Sequence, residues 1–464
     1  MTLPPMPMHP DRRIWRIAGP AMLSNSSAGL VGLVDTWAIG HLPAVAALAA
    51  LAVTMFVFAA LYWTMGFLRM STTGLVAQAF GARATGRMVR VVARSLLLAL
   101  VVGAGLLAIK APFTDWVLAA MDVAEAPAGY ARLYLAIRLY SLPFALVKLA
   151  VIGFLIGTQR AATAMALEVM LNLLNAVLTV WFVVGLGWGI AGAAGASLIA
   201  EAAAGIAGAG ILFAVLPLRL FGAALRHRRF WRFARFRALL AINGYLFLRA
   251  LLLLTALGMF LRWAGGMGED VLAATHVLLQ FHILATLGLD GIAYAAEALV
   301  GAAVGRHDRA ALRFWALRTT GWAVALAVLY AGLFALQGDA IVAFFTDLAP
   351  VRRQAGEGML WLALLPVVAV WSYQLDGIFI GATGARTMMW TMLATLGFYG
   401  LAGPPLIAWA GIDGLWGSFL AFMAVRGLTL GAAYPALERR VAGSRQRPGG
   451  APSTAGAGIS RSRR

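Results

Sequence analysis

Between Arg16 and Arg69 the chain carries no lysine or arginine and a single carboxylate, Asp35, in an otherwise apolar, glycine-rich stretch. A segment of this kind reads as membrane-crossing helix, because in hydrocarbon the backbone must satisfy its own hydrogen bonds. There Asp35 is costly and requires a partner, a proton or a cation.

The same signal recurs along the chain. Runs of about 20 or more apolar residues lie near 14–38, 46–79, 91–111, 131–156, 162–185, 190–215, 239–263, 271–304, 314–336, 357–381, 387–409 and 414–434. Only 12% of residues are charged and mean hydropathy is +0.85, whereas ordinary globular domains carry about 25% charged residues. The expected fold class is therefore an all-α polytopic membrane protein of twelve transmembrane helices. With no cysteine, disulfides and thiolate metal sites are excluded. Met1–Arg16 shows no separate apolar core and cleavage site, so no removable signal peptide is expected.

Loop charge orients the spans. With the N-terminus, the loops after even-numbered spans and the tail on one side, that side collects 27 of the 37 lysines and arginines. The other holds Lys110, Arg132, Arg352 and Arg353. The positive-inside rule then puts both termini in the cytoplasm. The basic, aromatic loop 226–237 reads as a membrane-surface segment against anionic lipid rather than a nucleic-acid patch.

The halves repeat at a shift of about 224 residues. Gly153–Arg160 matches Gly377–Gly384, and Gln78–Ala82 matches Ala302–Arg306. Six spans per half is even, so both halves enter the membrane in the same sense. The expectation is two six-helix bundles related by a pseudo-two-fold axis along the membrane normal, with the site at their interface. The domain reading is a cytoplasmic N-terminus (1–13), an N-terminal lobe (14–215), a basic cytoplasmic linker (216–238), a C-terminal lobe (239–434) and a disordered basic tail (435–464).

Six acids fall inside spans: Asp35, Glu168, Glu201, Asp290, Glu297 and Asp376. Six bases accompany them: Arg69, Arg138, Lys148, Arg249, Arg262 and Arg426. Structural pairing between the two sets is one reading of any member, and function the other. Asp35 stands out because Pro20, in the same span, removes a backbone hydrogen bond and allows a bend that could couple protonation to shape. On the fifth span Glu168, Asn172, Asn175 and Thr179 follow at steps of four, three and four, which places them on one helical face. With Tyr140 and Ser197 they are candidates for a polar cage around Asp35 or for interhelical glue. In the second half Asp290 and Glu297 share a face of the eighth span, and Asp376 lies on the tenth. Arg249 is the expected counter-ion of this C-lobe network.

Soluble chemistry is absent: no Walker A loop, Gly-x-Ser-x-Gly, His-Glu-x-x-His or Rossmann fingerprint occurs. No enzyme activity, cofactor or nucleic-acid partner is expected, and transport would draw on an ion gradient.

The motifs Leu33–Leu42, Gly66–Ala79, Phe182–Gly192 and Gly288–Gly301 resemble those of the multidrug and toxic compound extrusion (MATE) family, in its DinF-like branch, over about residues 12–434. The resemblance implies twelve helices in two lobes and exchange of organic cations or other amphiphiles for H⁺ or Na⁺. It implies that Asp35 is the N-lobe coupling carboxylate and Pro20 the bend proline. Tyr140, Asn175 and Ser197 match polar positions of that site, Ser197 where Thr is usual. Thr179 departs, since an Asp is frequent there. One fewer hard anionic ligand weakens the case for Na⁺ at Asp35 and favours H⁺. Asp376 resembles an acid of other branches, whose acid on the seventh helix has no counterpart here.

The reading is a secondary exporter of cationic or amphiphilic molecules, monomeric, in a bacterial cytoplasmic membrane. The alternative is a lipid-linked-precursor flippase of the same superfamily, which Arg69, Arg138 and Arg249 would suit.

Overall fold

A computed structural model describes residues 9–40, 45–228, 230–345 and 347–443. Alanine, leucine and glycine dominate the long apolar runs, and these fold as helices: α1 (Pro10–Gly40), α2 (Val45–Gly81), α3 (Thr85–Ala108), α4 (Glu125–Gly157), α5 (Ala161–Gly185), α6 (Gly189–Val215), α7 (Phe233–Gly265), α8 (Glu269–Gly305), α9 (Arg309–Phe345) and α10 (Ala349–Gly381). The last helix, Ala385–Gly443, is broken at Gly411, whose φ of 59° is left-handed. The break divides it into α11 (385–410) and α12 (412–443), which makes twelve passes. Two short helices, Lys110–Ala120 and Leu218–Arg226, fall in connections where no helix was expected.

The internal repeat is written in the backbone. Four helices of the basic end stop at glycines, Gly81, Gly157, Gly305 and Gly381, each followed two residues later by a left-handed residue: Arg83, Gln159, His307 and Thr383. Each turn closes with the Schellman bond, Ala84 N–H to Ala79 O, Arg160 to Leu155, Asp308 to Ala303 and Gly384 to Phe379. The first and third turns, and the second and fourth, stand 224 residues apart, as the sequence matches do.

Glycines let the two lobes meet backbone to backbone at that end. A Cβ on Gly81 would overlap the Ala302 carbonyl, and one on Gly305 the Gln78 carbonyl. These contacts are reciprocal under the repeat. Gln78 Nε2 adds hydrogen bonds to Gly381 O (3.0 Å) and Thr383 Oγ1 (3.2 Å).

Helix α1 reaches across. Arg318 of α9 donates twice to Asp11 at 2.7 Å, and Trp322 Nε1 donates to the same carboxylate at 2.9 Å. Farther along, Gly291 of α8 packs on Ala18 and Met22, and Asn25 Nδ2 donates to Leu287 O at 3.3 Å. The lobes are thus sealed over the basic end, with α1 as a strap between them.

The expected tail boundary at 435 is corrected. The helix runs through Pro435 to Gly443, where the Glu438 carboxylate is held by Arg309 (3.1 Å) and Arg313 (2.8 Å) of α9. The rest of the tail reading, 444–464, lies outside the described residues, as does most of 1–13.

Candidate functional site

Asp35 lies in the last two turns of α1 and is 3% exposed. Its Oδ1 accepts a hydrogen bond from Thr179 Oγ1 of α5 at 2.8 Å. One turn back, Asn175 Nδ2 donates to Ser197 Oγ of α6 at 2.9 Å, and Asn172 Nδ2 donates to Ser27 Oγ of α1 at 2.8 Å. The polar stripe of α5 therefore faces α1 and α6 along its length. The buried Asn175 Oδ1 is left without a hydrogen-bond donor in the structure. Helix α1 is continuous around Pro20, which supplies no amide hydrogen to its ladder.

Tyr140 is placed elsewhere, which corrects the expected cage. It belongs to a 3₁₀ turn, Leu139–Ser141, that shifts the phase of α4 and leaves it 47% exposed, bonded to Lys110 rather than to the cage. The tyrosine buried here is Tyr134, whose hydroxyl accepts a hydrogen bond from Arg138 Nη1 at 3.2 Å. Arg138 also lies over the Phe58 ring at 4.6 Å, and its charge acts on Asp35, Tyr62 and Glu201. The spacing of Tyr134 and Arg138, four residues on one α4 face, was the available signal for both.

Glu168, at the foot of the stripe, pairs with Lys148 of α4 at 3.3 Å rather than with Asp35, and Lys148 also meets Glu201 at 3.4 Å.

In the C-lobe, Arg249 was expected to neutralise three acids, and it neutralises one. Arg249 and Arg426 both bind the Asp376 carboxylate. Glu297 is taken instead by Arg69 of the N-lobe, at 3.0 Å, with the Arg69 guanidinium also 4.2 Å from the Tyr294 ring. Asp290 makes no ion pair within 4.0 Å among the described residues; charges that act on it include Arg69, Arg249, Asp376, Glu297 and Arg426. Tyr373 lies beside this network, its ring 5.5 Å from the Arg426 guanidinium and its hydroxyl 3.2 Å from both His282 Nε2 and Thr286 Oγ1.

No group of three or more His, Cys, Asp or Glu side chains able to hold a metal ion occurs among the described residues. What the two lobes offer is buried, paired charge between helices, and among the described residues glycine contacts join the lobes at the basic end and farther along α1.

The sequence model of the MatE family matches residues 20–181 and 248–403, one segment in each lobe. The chain belongs to the MATE family. Its relatives place it in the DinF-like branch: it is 38% identical to the DNA damage-inducible protein F of Escherichia coli K12 over 426 residues, 91% of each chain. It is 27% identical to the chloroplastic Protein DETOXIFICATION 44 of Arabidopsis thaliana over 439 residues, 89% of this chain and 80% of that one. Among solved structures, an outward-facing multidrug resistance MATE transporter superposes with a TM-score of 0.82 at 20% identity, covering 95% of this chain and 98% of that one. The two-lobe, twelve-helix MATE architecture and the transporter class follow.

Proposed function

We propose that this MATE transporter expels cationic amphiphilic molecules from a bacterial cytoplasm in exchange for H⁺, with Asp35 as the coupling carboxylate. The domain division proposed with it is 14–215 and 239–434, joined by a cytoplasmic linker at 216–238. The observation that carries the reading is the position of Asp35 on the strap. Its carboxylate is buried in the N-lobe against Thr179, while the other end of the same helix grips Arg318, Trp322 and α8 of the C-lobe. A charge change at Asp35 is therefore delivered, through one continuous helix, to the seal between the lobes.

The physical sequence follows. Ionised Asp35 attracts a cation in a low-dielectric chamber. A proton arriving from the opposite side neutralises it and removes that attraction, so the cation leaves. Loss of charge also changes what the Thr179 hydroxyl and the Arg138 guanidinium stabilise, and α1 shifts against the C-lobe. Each charge moved through the membrane potential is worth about 2.3 kcal/mol per 100 mV. Proton coupling is favoured over Na⁺ because the Asp35 oxygen is met by one hydroxyl and by the field of an arginine, which suits a proton better than a cation needing several oxygen ligands.

The test is efflux of a fluorescent cation from proteoliposomes with pH and Na⁺ gradients imposed separately. Export driven by the pH gradient alone supports the reading; export driven by Na⁺ alone at fixed pH contradicts it. For the flippase alternative, Arg249 is already committed, with Arg426, to Asp376, and Arg69 to Glu297, which leaves less free positive charge for an anionic headgroup.

A further inference from the structure

The N-lobe buries a second cluster that the exchange cycle above does not use. Lys148 Nζ of α4 lies 3.3 Å from Glu168 Oε2 of α5 and 3.4 Å from Glu201 Oε2 of α6. Tyr62 of α2 donates its hydroxyl to Glu201 Oε1 at 2.5 Å. Glu201 Oε2 is enclosed and receives no hydrogen bond. Glu168 is the opening of the cluster, with 21% of its side chain accessible against 7% for Glu201 and 5% for Lys148. The charged and titratable groups that face the cluster are Tyr62 from α2, Arg138 from α4, Tyr294 from α8 and, beyond Arg138, Asp35 from α1.

Charge balance gives the cluster a role. Arg69 is matched by Glu297, and the buried Arg94 is held apart, on the Phe230 carbonyl of the linker, so the network that joins Asp35 to the cluster holds three carboxylates, Asp35, Glu168 and Glu201, against two cations, Arg138 and Lys148. Fully ionised, it carries one surplus negative charge, which a low-dielectric interior disfavours. One proton neutralises it, and there are two equivalent arrangements. With the proton on the cluster, Arg138 balances ionised Asp35. With the proton on Asp35, Arg138 balances the ionised cluster through Glu201 and Tyr62, on which its charge also acts.

We propose that the Glu168–Lys148–Glu201 cluster is a second home for the one exchangeable proton of the N-lobe, isoelectric with Asp35 and nearer the basic end. Glu168 lies within about 10 Å of that end along α5, at 1.5 Å per residue, whereas Asp35 is near the far end of α1. The step is a simple proton transfer: hydronium gives its proton to Glu201 Oε2, which faces Lys148 but accepts no hydrogen bond, leaving a neutral carboxyl and water, and the reverse returns it. A monovalent cation held at Asp35 supplies the same charge as the proton, so its binding expels the proton from either home. The inference rests on the proton-coupled reading above.

The experiment uses the full-length protein in detergent, in weakly buffered solution, with tetraphenylphosphonium as the probe. Bound cation and released protons are measured together. The wild type is expected to release close to one proton per cation bound. Glu201→Gln leaves the lobe neutral without a proton, so release falls to near zero while the cation still binds. Adding Lys148→Met to Glu201→Gln restores the surplus charge and with it the release. Glu168→Gln makes the same prediction as Glu201→Gln and serves if that variant does not fold. Release by Glu201→Gln or Glu168→Gln equal to the wild type overturns the second home and leaves Asp35 as the sole one. Cation binding by the wild type with no proton release overturns the proton-coupled reading itself, and this inference with it.

Discussion

Arg69 of the N-lobe and Glu297 of the C-lobe form a two-pronged ion pair across the lobe boundary, at 3.0 and 3.3 Å, with both side chains almost fully enclosed. Such a pair is satisfied only while the lobes are together at the basic end, so it belongs to the sealed state. Removing one partner strands a buried charge, at a cost of about 3–5 kcal/mol. Arg69→Met and Glu297→Gln are each expected to lower the thermal midpoint in detergent, and the double variant to recover most of the loss. Equal losses that simply add in the double variant would show that the pair does not act as a unit.

The seal itself is steric. Gly81→Ala and Gly305→Ala each place a methyl group into the opposing backbone, at Ala302 and Gln78. Overpacking of this kind typically costs about 1–3 kcal/mol, here charged to the sealed state alone. Both variants are expected to shift the population toward lobes parted at the basic end. The chain has no cysteine, so a cysteine pair introduced at 78 and 302 reports it: cross-linking should fall in each glycine variant. Unchanged cross-linking would contradict the described packing.

Two tyrosines of α4 are separated by this structure. Tyr134→Phe removes a buried hydroxyl bonded to Arg138, a loss of about 1–2 kcal/mol in the interaction network, and transport should fall several-fold. Tyr140→Phe touches an exposed hydroxyl beside Lys110 and should leave transport within two-fold of the wild type. Transport assays at matched expression decide between them, and the opposite ranking would restore the cage expected around Tyr140.

How far the sequence could be read depended on whether a feature was periodic or relational. The α5 stripe was visible because steps of three and four are the helix's own period, and the lobe repeat because its glycine turns recur 224 residues apart in both sequence and backbone. Relations between distant residues were not visible. Arg69 and Glu297 are 228 positions apart, and no local pattern says that Glu297 prefers Arg69 to Arg249. Tyr140 was misplaced because a single 3₁₀ turn changes the phase of α4. The break at Gly411 was expected as a loop; it is a left-handed glycine inside one otherwise helical run.

Two arginines on one carboxylate give the C-lobe redundancy. Arg249→Met leaves Asp376 paired with Arg426, and Arg426→Met leaves it paired with Arg249. Each single variant is expected to insert and fold, whereas Asp376→Asn strands two buried guanidinium groups and should reduce the yield of folded protein severely. Size-exclusion profiles of the three variants, expressed side by side, check the order.

The central claim is that the charge of Asp35 couples cargo to the proton. Asp35→Asn keeps the shape of the side chain and a polar contact to Thr179 while removing the charge and the titration. Reconstituted at equal density, this variant is expected to fold as the wild type does, yet to show no export of a cationic dye under an imposed pH gradient and no dye-driven proton movement. Dye export and proton exchange at wild-type rates in Asp35→Asn would contradict the account.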